Sequence, residues 1–431
     1  MSIQAPRVLT MPRSFAEVEA DASPSVISRL NLALFSGVCL VLFSAPLAMG
    51  AVFPWSILAM EIAAAALCLL WVGRELVSRQ PAVRWNPAFA PALLMAVGVT
   101  AQLLFHTSAV TFLTRQYALQ YAAYGLLMFV AVQAITTEAD YRRLGAIAIA
   151  MGLAVALFAI VQSLTSNGRV YWLFRPESSS YIFGPYVNRN HFAGLMEMLA
   201  PLPLVLAVAL KRLTPGKRAL LAFAAIIMGG SVVLSLSRGG MLALAAQILL
   251  LGVYVAWRRA TRPAVLLLGA CLLMVGFLWW VGSEQLIRRF SEGGGMSMAA
   301  RIHITRGALR MARQRPLLGW GLGTFATVYP PFRDFYGDRF VNEAHNDYAQ
   351  VLVETGLIGL GALLWLAALV ARAARQRARF AESELQDAVK LGLLIGCAGL
   401  LVHSFVDFNL QIPANAALFY AWGALGTSRG R

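Results

Sequence analysis

Hydrophobic residues in this chain fall in long, nearly unbroken runs, and polar residues collect between them. The runs cover 30–49, 52–73, 88–105, 117–135, 144–164, 191–210, 219–236, 240–257, 263–282, 346–371, 389–406 and 412–427. Most approach the roughly 20 residues that a helix needs to cross a bilayer. They do not alternate with period two, as the strands of a membrane barrel would. The pattern predicts an all-α integral membrane protein with about 12 transmembrane helices. Two pairs of runs, 30–49 with 52–73 and 389–406 with 412–427, are joined by only a few residues.

One long polar stretch, from about Ser283 to Gly356, separates the ninth run from the tenth. Inside it, Ala300, Ile304, Ala308 and Met311 recur at helical spacing between Met298 and Gln314, while Arg306, Arg310 and Arg313 share another face. That spacing predicts an amphipathic helix lying along the membrane surface. Pro316 ends it. A glycine turn follows, from Leu317 to Phe325. Its spacing is wrong for a dinucleotide fingerprint and no strand precedes it. A short aromatic piece, Phe325 to Phe340, is broken by Pro330-Pro331.

Composition supports the membrane assignment: 13% of residues are charged, against about 25% in a soluble protein. The formal charge is +16. In a soluble chain that would suggest nucleic acid; here it raises the question of sidedness. With the N-terminus inside, 22 of the 36 Lys and Arg residues fall in inner segments and every short inner loop is basic. Both termini are therefore expected in the cytoplasm. The expected organisation is a cytoplasmic tail at 1–28, spans one to nine within 29–282, a periplasmic loop at 283–345, and three spans within 346–431. No cleavable signal is expected. The four cysteines, Cys39, Cys68, Cys271 and Cys397, lie in apolar runs without metal-like spacing and read as small core residues.

The outward-facing basic residues carry the chemistry. The long stretch holds nine arginines, at 288, 289, 301, 306, 310, 313, 315, 333 and 339, and no lysine. A guanidinium forks onto two oxygens of a phosphate or carboxylate. Arg238, in Ser237-Arg238-Gly239-Gly240, follows a span, and the glycines let backbone pack closely beside it. Arg301 begins the amphipathic helix, with Arg306 beyond it. Arg189 lies in Asn188-Arg189-Asn190-His191 at the mouth of another span. The stretch closes on Glu343-Ala344-His345-Asn346-Asp347-Tyr348. His345 is the strongest candidate base, because imidazole accepts a proton near neutral pH. Its bland alternative is a helix cap. Headgroup contact or snorkelling is the bland reading for the arginines, and Asn capping for the Arg189 cluster. No spacing suggests a metal site. Glu61, Glu197 and Asp407 lie in or at the ends of spans, scattered along the chain, and read either as interhelical polar pairs or as a proton path.

These residues together resemble the O-antigen ligase family of bacterial inner membranes. The likeness is carried by Ser237-Arg238-Gly239, the Arg301 helix, Pro316-Leu317-Leu318-Gly319-Trp320-Gly321-Leu322-Gly323, and His345-Asn346-Asp347-Tyr348 with Glu354-Thr355-Gly356 after it. The topology fits nearly the whole chain and the motifs its second half. The resemblance implies transfer of a glycan from undecaprenyl pyrophosphate to a sugar of the lipid A–core oligosaccharide, at the periplasmic face. It implies no cofactor, no metal, no nucleic acid, and inversion at the anomeric centre. It implies His345, Arg238 and Arg301 as catalytic residues. Arg189, Arg306, Asn346, Tyr348 and His191 are the candidate contacts to pyrophosphate or acceptor. Membrane lipids are the other expected partners, and a monomer is assumed. The same residues suit an O-antigen polymerase or a protein O-oligosaccharyltransferase. A lipid or glycan transporter is the rival of another class; it fits less well because no repeat relates the two halves.

Overall fold

The computed structural model describes residues 24–78, 82–176, 181–257, 298–336, 340–379 and 385–428, with Gly269 and Gly276 as isolated positions. Most of the expected tail, nearly all of the expected ninth run and residues 283–297 lie outside the described residues. The helices are α1 Pro24–Leu47, α2 Pro54–Ser78, α3 Phe89–Leu104, α4 Thr111–Ala134, α5 Glu138–Thr165, α6 Arg189–Leu199, α7 Pro201–Ala209, α8 Pro215–Leu234, α9 Arg238–Trp257, α10 Met298–Gln314, α11 Phe325–Val328, α12 Asp347–Arg379, α13 Leu385–His403 and α14 Pro413–Thr427. Among the described residues nine helices, counting α6 and α7 as one, are long and apolar enough to cross a membrane.

Two expected spans are helical but shorter. The helix α3 has 16 residues and α14 has 15. At 1.5 Å per residue α14 rises about 22 Å, short of the roughly 30 Å of hydrocarbon in a bilayer. It is instead the buried centre of the bundle, packed by α4, α13, α12, α1 and α6. Ala416, Ala417, Ala421, Gly423 and Ala424 keep its surface low, so neighbours approach closely. Trp422 is its largest anchor; its ring meets Phe43 edge to face and its Nε1 donates to the Met198 carbonyl at 3.2 Å.

The run at 191–210 breaks between α6 and α7 for a covalent reason. Pro201 has no N–H for the carbonyl of Glu197 four residues earlier. The side chain of Gln247 on α9 supplies the missing donor at 2.7 Å.

A second break is in α12, where Gly356 has φ 64° and ψ −160°. The glycine turn threads into it. Leu357 N donates to the Pro316 carbonyl at 2.8 Å, Trp320 N to Val353 at 2.9 Å, and Gly321 N to Glu354 at 3.0 Å. The Glu354 carboxylate accepts from Gly323 N at 2.9 Å and Phe325 N at 3.2 Å. A Cβ on Gly356 would run into the Leu317 carbonyl, and Gly319, at φ 72°, faces Val353 just as closely. Gly356→Ala is therefore expected to lower thermal stability markedly. The left-handed conformation alone costs about 1–2 kcal/mol for a residue with a Cβ. Gly361→Ala on the same helix, where no atom lies within 4 Å, is the control and should melt at or above the wild-type temperature. Equal melting of the two variants in detergent would remove this account of the turn.

The amphipathic helix forms over the expected residues, as α10. Its apolar stripe is covered by protein, not lipid. Ile304, Ala308 and Met311 are fully buried against Phe325, Tyr329, Val341, Ala349 and Val353. Arg306, Arg310 and Arg313 are exposed. Arg310 donates to Asp334 at 2.9 Å, and Arg315 stacks on Trp320 at 4.2 Å while donating to the Thr107 carbonyl at 2.6 Å. The helix is thus folded down onto the start of α12. The aromatic piece becomes α11 and a 3-10 turn at Pro330–Phe332.

Candidate active site

Three segments distant in sequence converge on Asp407, a fully buried residue in the short link between α13 and α14. Asn190 at the start of α6 donates its Nδ2 to Asp407 Oδ2. Arg301, near the start of α10, lies 3.6 Å from the same oxygen and also donates to the neighbouring Val406 carbonyl. His345, just before α12, places Nδ1 3.6 Å from Oδ1. Phe408 N donates to Oδ1 at 2.9 Å. No hydrogen bond reaches His345 Nδ1, although the atom is buried. A movement of about half an ångström would bring it within the usual 2.7–3.2 Å.

Local backbone explains how these side chains are aimed. His345 has φ 50°, in the left-handed region that few residues other than glycine adopt. That turn reverses the chain at the mouth of α12 and presents the imidazole to Asp407. Asn346 then caps the helix, its Oδ1 accepting from Ala349 N at 3.0 Å. Asn188 caps α6 in the same way, accepting from Asn190 N at 2.9 Å. Ser237 Oγ accepts from Gly240 N at 3.1 Å at the start of α9. The Asp407 link is itself fastened by Asp347. Its Oδ2 accepts from Ser404 Oγ at 2.8 Å and Leu410 N at 3.1 Å, and its own N–H donates to the Ser404 carbonyl at 2.9 Å.

Arg238, the first residue of α9, is exposed and close enough to Arg301 for the two charges to repel. A Cβ on the next residue, Gly239, would lie 3.0 Å from Val406. The N-terminus of α9 thus abuts the Asp407 link. The other residues singled out in the sequence take different places. His191 is buried, with its ring edge to face on Phe408 at 4.8 Å; His345 also meets Phe408 edge to face at the same distance. Arg189 lies over the Tyr181 ring at 5.6 Å. Arg306 is exposed on α10. Tyr348 packs on Phe405 and donates to the Leu401 carbonyl at 2.7 Å, tying α12 to α13.

Electrostatics divide the acids into two kinds. Burial would raise the Asp407 carboxyl, but the Arg301 guanidinium and the facing His345 ring outweigh it and hold the group well below the usual carboxylate range. Asp407 is therefore ionised at neutral pH. Glu343 behaves oppositely: burial, then the nearby Glu354 and Asp347, push it well above that range, and a hydrogen bond from Gln350 offsets only part. These surroundings favour the protonated form of Glu343. With two arginines against one ionised acid, the site carries net positive charge and suits a polyanion. Among the described residues no group of three or more His, Cys, Asp and Glu side chains is arranged to hold a metal ion.

Asp407 was visible in the sequence only as one acid among several. The available signal was the polar run His403-Ser404-Phe405-Val406-Asp407-Phe408-Asn409 between two apolar runs. Glu197 and Asp407, which look scattered in sequence, approach the same residue, His403. Glu61 stands apart, partly exposed on α2.

Residues 223–364 match the family model described as O-antigen ligase. The match contains Arg238, Arg301, Arg306, His345, Asn346 and Tyr348, and it ends before Asp407. No curated protein matches the chain.

Proposed function

We propose that this multi-pass membrane protein, whose residues 223–364 match the O-antigen ligase family model, transfers a glycan from undecaprenyl pyrophosphate to a sugar hydroxyl of lipid A–core. The single observation carrying the reading is the convergence of His345 and Arg301 on Asp407, with Arg238 beside Arg301. In this reading Arg238 and Arg301 grip the diphosphate and stabilise the charge that grows on it as the glycosidic bond breaks. Asp407 holds Arg301 in place and attracts Nδ1–H of His345. That leaves Nε2 as the base, the division of labour known from Asp–His pairs in hydrolases. His345 takes the proton of the acceptor hydroxyl, the oxygen attacks the anomeric carbon, and undecaprenyl pyrophosphate departs. One displacement inverts the centre. Residues 283–345 then belong to the periplasmic side, in the inner membrane, with both termini in the cytoplasm. Arg189 and Arg306 extend the basic surface toward the donor. Asn346, Tyr348 and His191 act by shaping the site.

Transfer in a purified system tests the reading, with a defined carrier-linked glycan and either lipid A–core or a second carrier-linked glycan as acceptor. Product on lipid A–core supports ligation. Product only on the second glycan would make the protein a polymerase. The arginines have their own test. Lysine keeps the charge but loses the fork, so Arg238→Lys should lower transfer by roughly 10- to 100-fold, about the 1.5–3 kcal/mol of one charged hydrogen bond. Arg313→Lys, at an exposed position away from the cluster, should be near normal. Equal tolerance at the two positions would remove Arg238 from the site.

A further inference from the structure

Directly behind the cluster lies a second ionisable pair that the reaction above does not use. His403, the last residue of α13, places Nδ1 2.8 Å from Oε1 of Glu197 on α6, and both side chains are fully buried. Such groups inside a membrane bundle are costly to keep and mark function more often than packing. This pair lies where three elements of the site cross. A Cβ on Gly239 would overlap the His403 ring, and one on Gly240 would lie 3.2 Å from Glu197 Oε1. The two residues after Arg238 therefore rest on the two members of the pair. On its other side the His403 carbonyl accepts from Val406 N at 2.9 Å and Asp407 N at 3.1 Å, forming the turn that presents Asp407.

We propose that the His403–Glu197 pair is a positioning element for transfer, fixing where Arg238 stands relative to Asp407 and Arg301. The proposal rests on the transferase reading of those residues. Its physical basis is that Arg238 and Arg301 repel each other, and that the amino end of α9 is itself the positive end of a helix dipole. Holding both guanidinium groups at one diphosphate needs a rigid support. A hydrogen bond between two buried side chains has a fixed direction and length, whereas an apolar contact lets α9 slide. The glycines at 239 and 240 let the helix seat directly on that bond.

The test compares His403→Leu, His403→Asn and the double variant His403→Leu/Glu197→Leu in the purified transfer assay. Asparagine places an amide nitrogen where Nδ1 stood and can still donate to Glu197. The double leucine variant leaves no lone buried polar partner, so it is expected to fold. Turnover should fall by roughly 10- to 100-fold in both leucine variants, the scale of a displacement of an ångström or less, while the carrier KM changes little. His403→Asn should recover most of the turnover. Wild-type turnover in the double variant would overturn the proposal and leave the pair as packing. A His403→Asn variant as slow as His403→Leu would also overturn it, even if the double variant failed to fold. The wild-type protein separates the two readings: absence of transfer by wild type would sink the transferase reading, whereas active wild type with an equally active double variant would sink only this one.

Discussion

His345→Ala is expected to abolish glycan transfer while leaving a folded protein that still binds the carrier. The loss follows from removing the base, an effect of about 10²–10⁴-fold for a positioned general base. Folding should survive because the imidazole is partly exposed and its Nδ1 makes no hydrogen bond that the core depends on. Alanine accepts the left-handed backbone at 345 at a cost similar to that of any residue with a Cβ. Carrier binding should survive because the arginines hold the diphosphate. His345→Gln separates two roles: glutamine can hydrogen-bond an acceptor hydroxyl but cannot take its proton. It should be as inactive as alanine. Substantial transfer by the glutamine variant would mean that His345 orients the acceptor and that the base is another group. Asp407, ionised and adjacent, would then be next in line, ahead of Glu343, whose surroundings favour its protonated form. A fully active alanine variant would end the catalytic reading of His345.

Asp407→Asn should be nearly as damaging, for a different reason. The change preserves shape and removes the charge that holds Arg301 and draws Nδ1–H of His345. Among the described residues the partners of the Asp407 carboxylate are donors: Asn190 Nδ2, Phe408 N, Arg301 and His345. An asparagine must turn its own amide toward two of them, so donors face donors. Both turnover and carrier affinity should fall, because Arg301 loses its support as His345 loses its orientation. Breaking a buried ion pair on one side costs about 3–5 kcal/mol of stability. The pH dependence gives the sign. The Asp407 carboxyl is depressed in the fold, so its stabilising contribution is complete above the unfolded value of about 3.9 and is lost as pH falls through the lower folded value. The stability gap between wild type and Asp407→Asn should therefore be constant from about pH 5 to 8 and narrow below about pH 4. A gap that instead widened toward low pH would show that Asp407 is not ionised in the folded protein.

The sequence by itself determined the class of protein and the inventory of its chemistry. Runs of apolar residues near bilayer length decide that the chain is a membrane helix bundle, because lipid leaves backbone groups no partner but their own helix. The period within Met298–Gln314 and the stop at Pro316 are local signals, and α10 occupies those residues. The arginines and His345 stood out because charges are expensive where they occur.

Only the tertiary structure decided what those residues meet. An apolar stripe on a helix looks the same whether lipid or protein covers it, so the seating of α10 on α12 could not be read from its period. Length and hydropathy do not distinguish a helix buried in a bundle from one facing lipid, which is why α14 reads as an ordinary span. The glycines of the Pro316–Gly323 turn have no visible purpose until Gly356 breaks α12 and the turn threads through. Asp407 is 62 residues from His345 and 106 from Arg301. A carboxylate becomes the organiser of a site through what surrounds it in space, and burial among Asn190, Arg301 and His345 is a property of packing that no stretch of chain carries alone.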